Sequence, residues 1–431
     1  MEKIVSLCKR RGFIYQGSEI YGGLAGTWDY GPLGVALKKN IENLWWRMFV
    51  DDRDDMYGID AAILMNPKAW VASGHVGGFS DPMTECKKCK KRFRADHVEG
   101  KNCPECKGEL GEEHQFNMMF KTNIGAMEDE SNVTYLRPET AGGMFVNYKN
   151  VVDSFHPKLP FGLGQIGKAF RNEIAPRDFI FRVRELEQME IEYFVRPNTW
   201  EEHFENWRKR MWAYMEVIGL DKEKVHELEV AAEDRAHYSK RTIDFEYDFP
   251  FGRKELYGLA YRSDFDLKSH QEGSGVNLEY IDEETKTRFL PHVIEPTFGV
   301  GRTLLAILAE AYTEDIIDGE TRISLKFAPS VAPVKVAVFP LMKNKPELVE
   351  KAREVYGMLK KEIRGKIMWD DNGNVGKRYR RQDEIGTPFC ITFDFDSLED
   401  KKVTVRDRDT MKQERVAIEE LVGFLKSRLG S

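Results

Sequence analysis

Arginines and carboxylates recur in this chain at spacings that could place them on shared strand faces. In Ala169-Phe-Arg171-Asn-Glu173, a period of two puts Arg171 and Glu173 on one side. In Arg184-Glu-Leu-Glu-Gln188-Met-Glu190-Ile-Glu192 the same period sets Gln188, Glu190 and Glu192 opposite Met189, Ile191 and Tyr193. With Arg177 and Arg182 between them, these segments read as a hairpin with strands over 166–173 and 184–194. A guanidinium grips phosphate with fixed donors, and carboxylates beside it can hold an ammonium group. The same charges could equally form a solvated face of ordinary ion pairs. A second constellation, Ile294-Glu295-Pro-Thr297-Phe-Gly299-Val-Gly301-Arg302, runs into the helical Thr303–Leu308. Glycines ahead of a helix open its N-terminus to an anion, although a glycine-rich turn into a core helix reads alike. Cys86, Cys89, Cys103 and Cys106 form two CxxC pairs separated by thirteen residues. That spacing suits a closed tetrahedral zinc site with no open position for water, a structural rather than catalytic metal.

Two phosphate-binding patterns fail on context. Gly162-Leu-Gly164-Gln-Ile-Gly167 fits GxGxxG and, with Lys168, GxxxxGK. Both need a buried parallel strand before and a helix after. Here two prolines precede the motif, an alternating strand follows it, and residue 169 is alanine where a hydroxyl would hold magnesium.

The elements that must position these residues divide the chain in two. Leu37, Ile41, Leu44, Trp45 and Met48 recur at helical spacing after Pro32, a suitable first helical residue. The first 330 residues read as an α+β domain, an antiparallel sheet with flanking helices, with a zinc-ribbon insertion at about 84–115 and a mainly helical insertion at about 198–240. After Phe327-Ala-Pro-Ser-Val-Ala-Pro333, a C-terminal α/β domain over 333–431 reads strand (334–341), helix (346–363), strands (366–370, 388–394, 402–406) and helix (415–429). A composition of 41% hydrophobic and 32% charged residues excludes a disordered chain. The net charge of −7 argues weakly against a nucleic-acid partner, but Lys377, Arg378, Arg380 and Arg381 put four cations into five positions beside Tyr379, with Arg406 and Arg408 as further candidates. The N-terminus lacks a signal peptide's apolar run, and no stretch approaches the roughly 20 apolar residues of a membrane span, so a cytoplasmic protein is expected.

These segments resemble the three signature motifs of class II aminoacyl-tRNA synthetases, and specifically the dimeric glycyl-tRNA synthetase family. Trp28-Asp-Tyr-Gly-Pro32-Leu-Gly34 with its helix is similar to motif 1, which forms the family's dimer interface; Lys168–Glu173 through Glu192 resembles motif 2, and Phe298–Arg302 motif 3. Further matches are Leu136-Arg-Pro-Glu139-Thr-Ala, Asn66-Pro-Lys-Ala-Trp70-Val-Ala-Ser-Gly-His75, Arg262-Ser-Asp-Phe-Asp266 and Arg378-Tyr-Arg-Arg-Gln-Asp-Glu-Ile-Gly386. The resemblance covers nearly the whole chain in the family's order.

It implies a homodimer that activates glycine with ATP and Mg2+ and transfers it to tRNA(Gly), with no covalent enzyme intermediate and no general base. Arg171 would hold the α-phosphate and Arg302 the far end of a bent ATP. Asn172, Glu173, Phe181, Arg182, Val183, Arg184, Glu185, Leu186, Glu255, Leu256, Gly299, Val300 and Gly301 resemble the remaining ATP contacts. Around glycine the matching positions are Glu139, Glu190 and Glu295, a carboxylate cluster suited to ammonium, and Thr297, which would crowd the α-carbon. Leu186, Glu187, Gln188, Met189, Pro296, Phe298, Gly299 and, from the zinc segment, Arg94 complete that set. The C-terminal domain resembles the anticodon-binding domain of several class II synthetases, so Lys377, Arg378, Arg380 and Arg381 would meet tRNA. Two departures stand out: Gly142 replaces the family's glutamine, and Leu186 stands where many class II enzymes stack phenylalanine under adenine. Two other readings stay open here, a class II enzyme for proline or threonine and a catalytically dead nucleic-acid-binding relative like the polymerase accessory subunit. Glu295-Pro-Thr-Phe298 favours glycine, and retention of Arg171, Glu173, Glu190 and Arg302 favours an enzyme.

Overall fold

The computed structural model describes residues 1–430 except 128, 284 and 318. Seven strands form its main sheet: β1 (Met56–Gly58), β2 (Phe161–Phe170), β3 (Glu185–Val195), β4 (Val225–Glu229), β5 (Arg241–Phe249), β6 (Gly252–Ser263) and β7 (His292–Gly299). Their order is β4-β5-β6-β7-β3-β2-β1, antiparallel throughout except for the short edge pair β1–β2. Alternation along β3 divides its residues between two buried faces. Met189, Ile191 and Tyr193 join a large aromatic core, while Glu190 and Glu192 face the other way with Phe194.

Four helices matter to that division: α1 (Pro32–Trp46), α2 (Ala141–Phe155), α3 (Trp200–Val217) and α4 (Phe265–Ser274), followed by α5 (Val300–Ala311) directly after β7. The apolar stripes of α1, α3 and α5 cover one face of the sheet, with Trp45, Phe49, Trp207, Tyr214 and Phe298 packed ring against ring. On the opposite face α2 and α4 cover only part, with Met144, Phe145, Tyr148 and Leu267 against Phe161, Leu163 and Phe194. The remainder of that face carries the acids. None of the described helices is long and apolar enough to cross a membrane.

The structure differs from the sequence reading in several places. β2 spans Phe161–Phe170 and stops before Arg171, because the chain turns sharply where Glu173 N–H donates to Arg171 O (2.7 Å). Arg171 N–H still donates to Arg184 O, so the two segments remain paired (2.9 Å). In the segment 198–240 the helix α3 is followed by the edge strand β4, and Phe204, Trp207, Met211 and Tyr214 lie in the main core. The cysteine-bearing segment hangs on a three-stranded sheet in the order Arg92–Arg94, Ser80–Glu85, His114–Asn117.

The main core runs to Val334, with Ile385 added from the C-terminal unit, and a second core begins at Val336. Beyond that point lie β8 (Val336–Pro340), β9 (Ile367–Trp369), β10 (Phe389–Phe393), β11 (Lys402–Asp407) and β12 (Gln413–Ala417), with α6 (Pro346–Glu362), α7 (Val375–Ile385) and α8 (Leu421–Leu429). The sheet order is β9-β8-β10-β11-β12, parallel across its first three strands and antiparallel thereafter. The expected helix from 415 therefore begins only at Leu421. Helix α7 went unread because its inward face is polar: Arg378, Gln382 and Asp383 are buried beside Ile385. Asp383 receives Arg322 (2.8 Å) from the first unit and Arg406 (2.8 Å) from its own, a buried charge network that ties the units together.

Candidate active site

Where β7 passes into α5, Arg302 sits in the helix's first turn with its guanidinium 4.5 Å above the Phe181 ring. It donates to the main-chain oxygen of Glu255 and pairs with that residue's carboxylate, both at 3.1 Å. Arg302, then Arg171 and Arg182, hold the Glu255 carboxyl below its ordinary range. Across the cleft, Arg171 donates through Nε to Pro138 O (3.0 Å) and lies 5.5 Å from the Phe79 ring. Its charge also reaches Glu139, so Arg171 stands between the two carboxylates. Both arginines line one cleft.

Glu173, Phe181, Arg182, Val183, Glu185, Leu186, Glu255, Leu256, Gly299 and Gly301 line that cleft too, as do Glu187, Gln188 and Thr297. Three of the expected nucleotide contacts do not. Val300 faces the main core, fully buried. Arg184 donates to Glu173 O (3.1 Å) and Ala25 O (2.8 Å), fixing the loop instead. Asn172 donates its N–H to Met118 O (2.7 Å) and lies outside the lining. Trp28, Tyr30, Lys168 and Ile180 line the cleft in addition to the expected contacts; the two aromatics sit in the first motif, which reads as an interface.

Deeper in, strand alternation brings Glu190 and Glu192 from β3 beside Glu295 from β7, their oxygens within 4.8 Å of one another. Met189, Pro296 and Phe298 are on the opposite side of these strands, so the period that exposes the acids removes them from any substrate pocket. Glu190 accepts from Thr140, Thr297 (3.0 Å) and Gln188 (3.3 Å). Neither oxygen of fully buried Glu192 has a hydrogen-bond partner. Burial, then Glu295, pushes the Glu192 carboxyl well above its ordinary range. Burial also lifts Glu295 to about 8, with Arg262 opposing and Glu190 and Glu139 adding to it. Glu139 goes the other way: His75, Arg262 and Arg171 outweigh its burial and hold it at about 2.

Arg262 organises this cluster. It is 1% exposed and makes two bonds to Asp266 on α4, each 2.7 Å, and one to Glu295 at 2.8 Å. Its guanidinium lies 3.6 Å above the Tyr238 ring. The Arg262-to-Asp266 segment was visible in the sequence, but no periodicity shows that its arginine turns inward. Gly142 has a packing reason: a Cβ there would come within 2.8 Å of the Trp70 ring, leaving no room for a glutamine side chain.

In the cysteine segment, Sγ of Cys86 and Cys106 are 3.5 Å apart and those of Cys89 and Cys103 3.7 Å. A tetrahedron with metal–sulfur bonds of about 2.3 Å has edges of about 3.8 Å, so the four thiolates could hold one ion. Lys90 and Lys107, each following a CxxC, share the same left-handed backbone and turn. Arg94 pairs with Asp81 (2.6 Å) and Asp96 (2.7 Å); its charge reaches Glu173 but it lies outside the acid cluster. In the C-terminal unit Arg378 is buried and donates to the carbonyls of Pro340, Asp371 and Gly373, so it cannot touch a nucleic acid. Arg406 and Arg408 are likewise buried. Lys377 is exposed and Arg380 half-buried, while Arg381 is tied to Asp370 at 2.8 Å.

Residues 120–311 match the family described as "tRNA synthetase class II core domain (G, H, P, S and T)", and residues 335–428 the "Anticodon binding domain". The chain is 50% identical to a "Glycine--tRNA ligase" of Clostridium acetobutylicum over 100% of its own length and 98% of the relative's. It is also 50% identical to proteins of that name from Treponema denticola, covering 100% and 97%, and from Bacillus anthracis, covering 100% and 99%.

Proposed function

The chain belongs to the glycine–tRNA ligases, within the class II aminoacyl-tRNA synthetases, and from that premise we propose how its cleft joins glycine, ATP and tRNA(Gly). The reaction has two steps. A carboxylate oxygen of glycine attacks the α-phosphorus of ATP, forming glycyl-adenylate and releasing pyrophosphate. A hydroxyl of the tRNA's terminal adenosine then attacks the glycyl carbonyl carbon and displaces AMP.

The observation that carries this reading is the convergence of Arg171 and Arg302 on a cleft whose lining residues Gln188 and Thr297 bond to the buried acid Glu190 behind them. Arg171 neutralises charge at the α-phosphate as the P–O bond breaks, and Arg302 holds the terminal phosphate. Preorganised charge of this kind requires no general base, because the attacking carboxylate is already ionised. Glu173 and Glu255, which line the cleft, would hold magnesium on the nucleotide phosphates, where it would supply positive charge. Glu139, Glu190 and Glu295 receive the ammonium group. Thr297, fixed on Glu190 at 3.0 Å, walls off the space a side chain would need.

The four cysteines would hold a structural zinc ion, which would stabilise their own segment. Two chains associate through the first motif, and Ile20 and Tyr21, which precede it and are each 88% exposed, supply apolar surface for a partner. Lys377, Arg380 and Arg381 meet tRNA from the C-terminal domain. Amino-acid-dependent ATP–pyrophosphate exchange tests the proposal: glycine alone supports exchange. Exchange with proline or threonine but not glycine, or none at all, refutes it.

A further inference from the structure

The segment Asn66–His75 contains a buried pair whose geometry goes beyond the substrate contacts assigned above. Ser73, His75 and Glu139 are 6%, 5% and 7% exposed. Ser73 Oγ lies 2.8 Å from His75 Nδ1, and His75 Nε2 lies 3.4 Å from Glu139 Oε2. A neutral imidazole has one N–H and one lone pair, and the partner of one nitrogen fixes the other. The single hydroxyl proton of Ser73 has two acceptors in reach, His75 Nδ1 at 2.8 Å and Trp70 O at 3.3 Å. In the neutral ring the shorter contact places it on Nδ1, so the ring N–H is at Nε2 and faces the carboxylate, and in the protonated ring Nε2 carries an N–H as well.

The surroundings leave the ring little freedom. Gly74, between the two residues, has φ 83°, a left-handed conformation that turns Ser73 back toward the ring. Trp70 and Phe79 flank the imidazole at 5.4 and 5.5 Å. Asn117 donates to the carbonyls of His75 (3.1 Å) and Val76 (3.0 Å) from the strand that leaves the cysteine segment. Among the acids of the buried cluster, Glu139 is the one held low, against its own burial.

We propose that Ser73 and His75 are a positioning pair for the amino-acid substrate: Ser73 fixes the imidazole tautomer, and His75 Nε2–H orients the Glu139 carboxylate toward the ammonium group. This rests on the reading of Glu139 as an ammonium ligand. The pair touches no reacting atom, so its effect falls on glycine binding rather than on nucleotide binding. That separates a positioning role from a general packing role, since a distorted cleft weakens both substrates.

The test measures glycine KM, ATP KM and kcat by ATP–pyrophosphate exchange on the full chain for His75→Phe, His75→Gln, Ser73→Ala and Glu139→Gln. His75→Phe keeps the ring and loses the donor; it raises glycine KM by about 10- to 100-fold, the range for losing a hydrogen bond to a charged group, with ATP KM within about twofold. His75→Gln, which retains an N–H donor, recovers part of that loss. Ser73→Ala shifts glycine KM in the same direction by roughly three- to tenfold and decides the matter if His75→Phe does not fold. Equal rises in both KM values, or an unchanged glycine KM in Ser73→Ala and His75→Phe while Glu139→Gln raises it, overturn the pair. An unchanged glycine KM in Glu139→Gln overturns the underlying reading of Glu139, and the pair with it.

Discussion

Replacing Arg262 by methionine tests the electrostatic design of the amino-acid pocket. The guanidinium is 1% exposed and makes three bonds, two to Asp266 and one to Glu295, within a cluster that also holds Glu139, Glu190 and Glu192. Burial disfavours its charge, yet Asp266 and Glu295 keep it ionised well beyond its ordinary range. Methionine fills similar volume and leaves the Asp266 carboxylate, and Glu295 wherever it ionises, without a cation. Removing one partner of a buried ion pair costs about 3–5 kcal/mol, because the remaining charge is left uncompensated. At about 2–4 °C per kcal/mol for a domain somewhat smaller than this one, the first unfolding transition should fall by roughly 6–20 °C. The orphaned acids escape part of the penalty by binding protons, so the loss relative to the parent protein is smaller at pH 6 than at pH 8. Adding Asp266→Asn and Glu295→Gln to Arg262→Met removes the uncompensated charges and restores most of the lost stability. Thermal denaturation of the three proteins at both pH values reads all of this. A fall below about 1 kcal/mol, or no recovery in the multiple variant, would show that Arg262 does not hold the cluster together.

Four further outcomes follow from the same geometry. Burial holds Glu295 protonated up to about 8, above the usual carboxylate range, so its contribution to apo stability is present below its unfolded pKa and is lost as pH rises through about 8. The ammonium group of glycine favours the ionised form, so glycine kcat/KM should rise between about pH 6 and 8 while ATP KM stays flat, and Glu295→Gln should remove that slope; equal slopes in both proteins would contradict it. Chelation or Cys103→Ser should raise glycine KM more than ATP KM, because Asn117, at the base of the cysteine segment, holds the backbone of His75 and Val76; metal content and exchange kinetics measured together check it. Arg381→Ala should weaken tRNA charging and leave ATP–pyrophosphate exchange intact, a contrast read by the two assays side by side. Arg378→Ala should destabilise the C-terminal unit, measured by denaturation, because its guanidinium serves three internal carbonyls.

Much of this site was legible because period two is a strong signal. Glu190 and Glu192 were placed opposite Met189 and Ile191 from alternation alone, and the structure keeps that division. The same rule should have removed Met189 and Phe298 from the substrate set; the resemblance carried them in as neighbours in sequence rather than in space. Arg171 was read as a strand residue and lies in the turn that follows, since one backbone bond between Glu173 and Arg171 ends the strand. What stayed hidden are polar residues that point inward. Arg262, His75 and Arg378 carry no hydrophobic periodicity, and their burial depends on partners that only tertiary structure assembles. Helix α7 was missed for that reason, its inner face being built from Arg378, Gln382 and Asp383.

A crystal structure of the protein with a non-hydrolysable glycyl-adenylate analogue is the most direct measurement. The account predicts Arg171 within about 2.7–3.2 Å of the α-phosphate surrogate and the ligand's amino group enclosed by Glu139, Glu190 and Glu295. An analogue bound with its amino group away from those acids, or with the phosphate surrogate out of reach of Arg171, would contradict it.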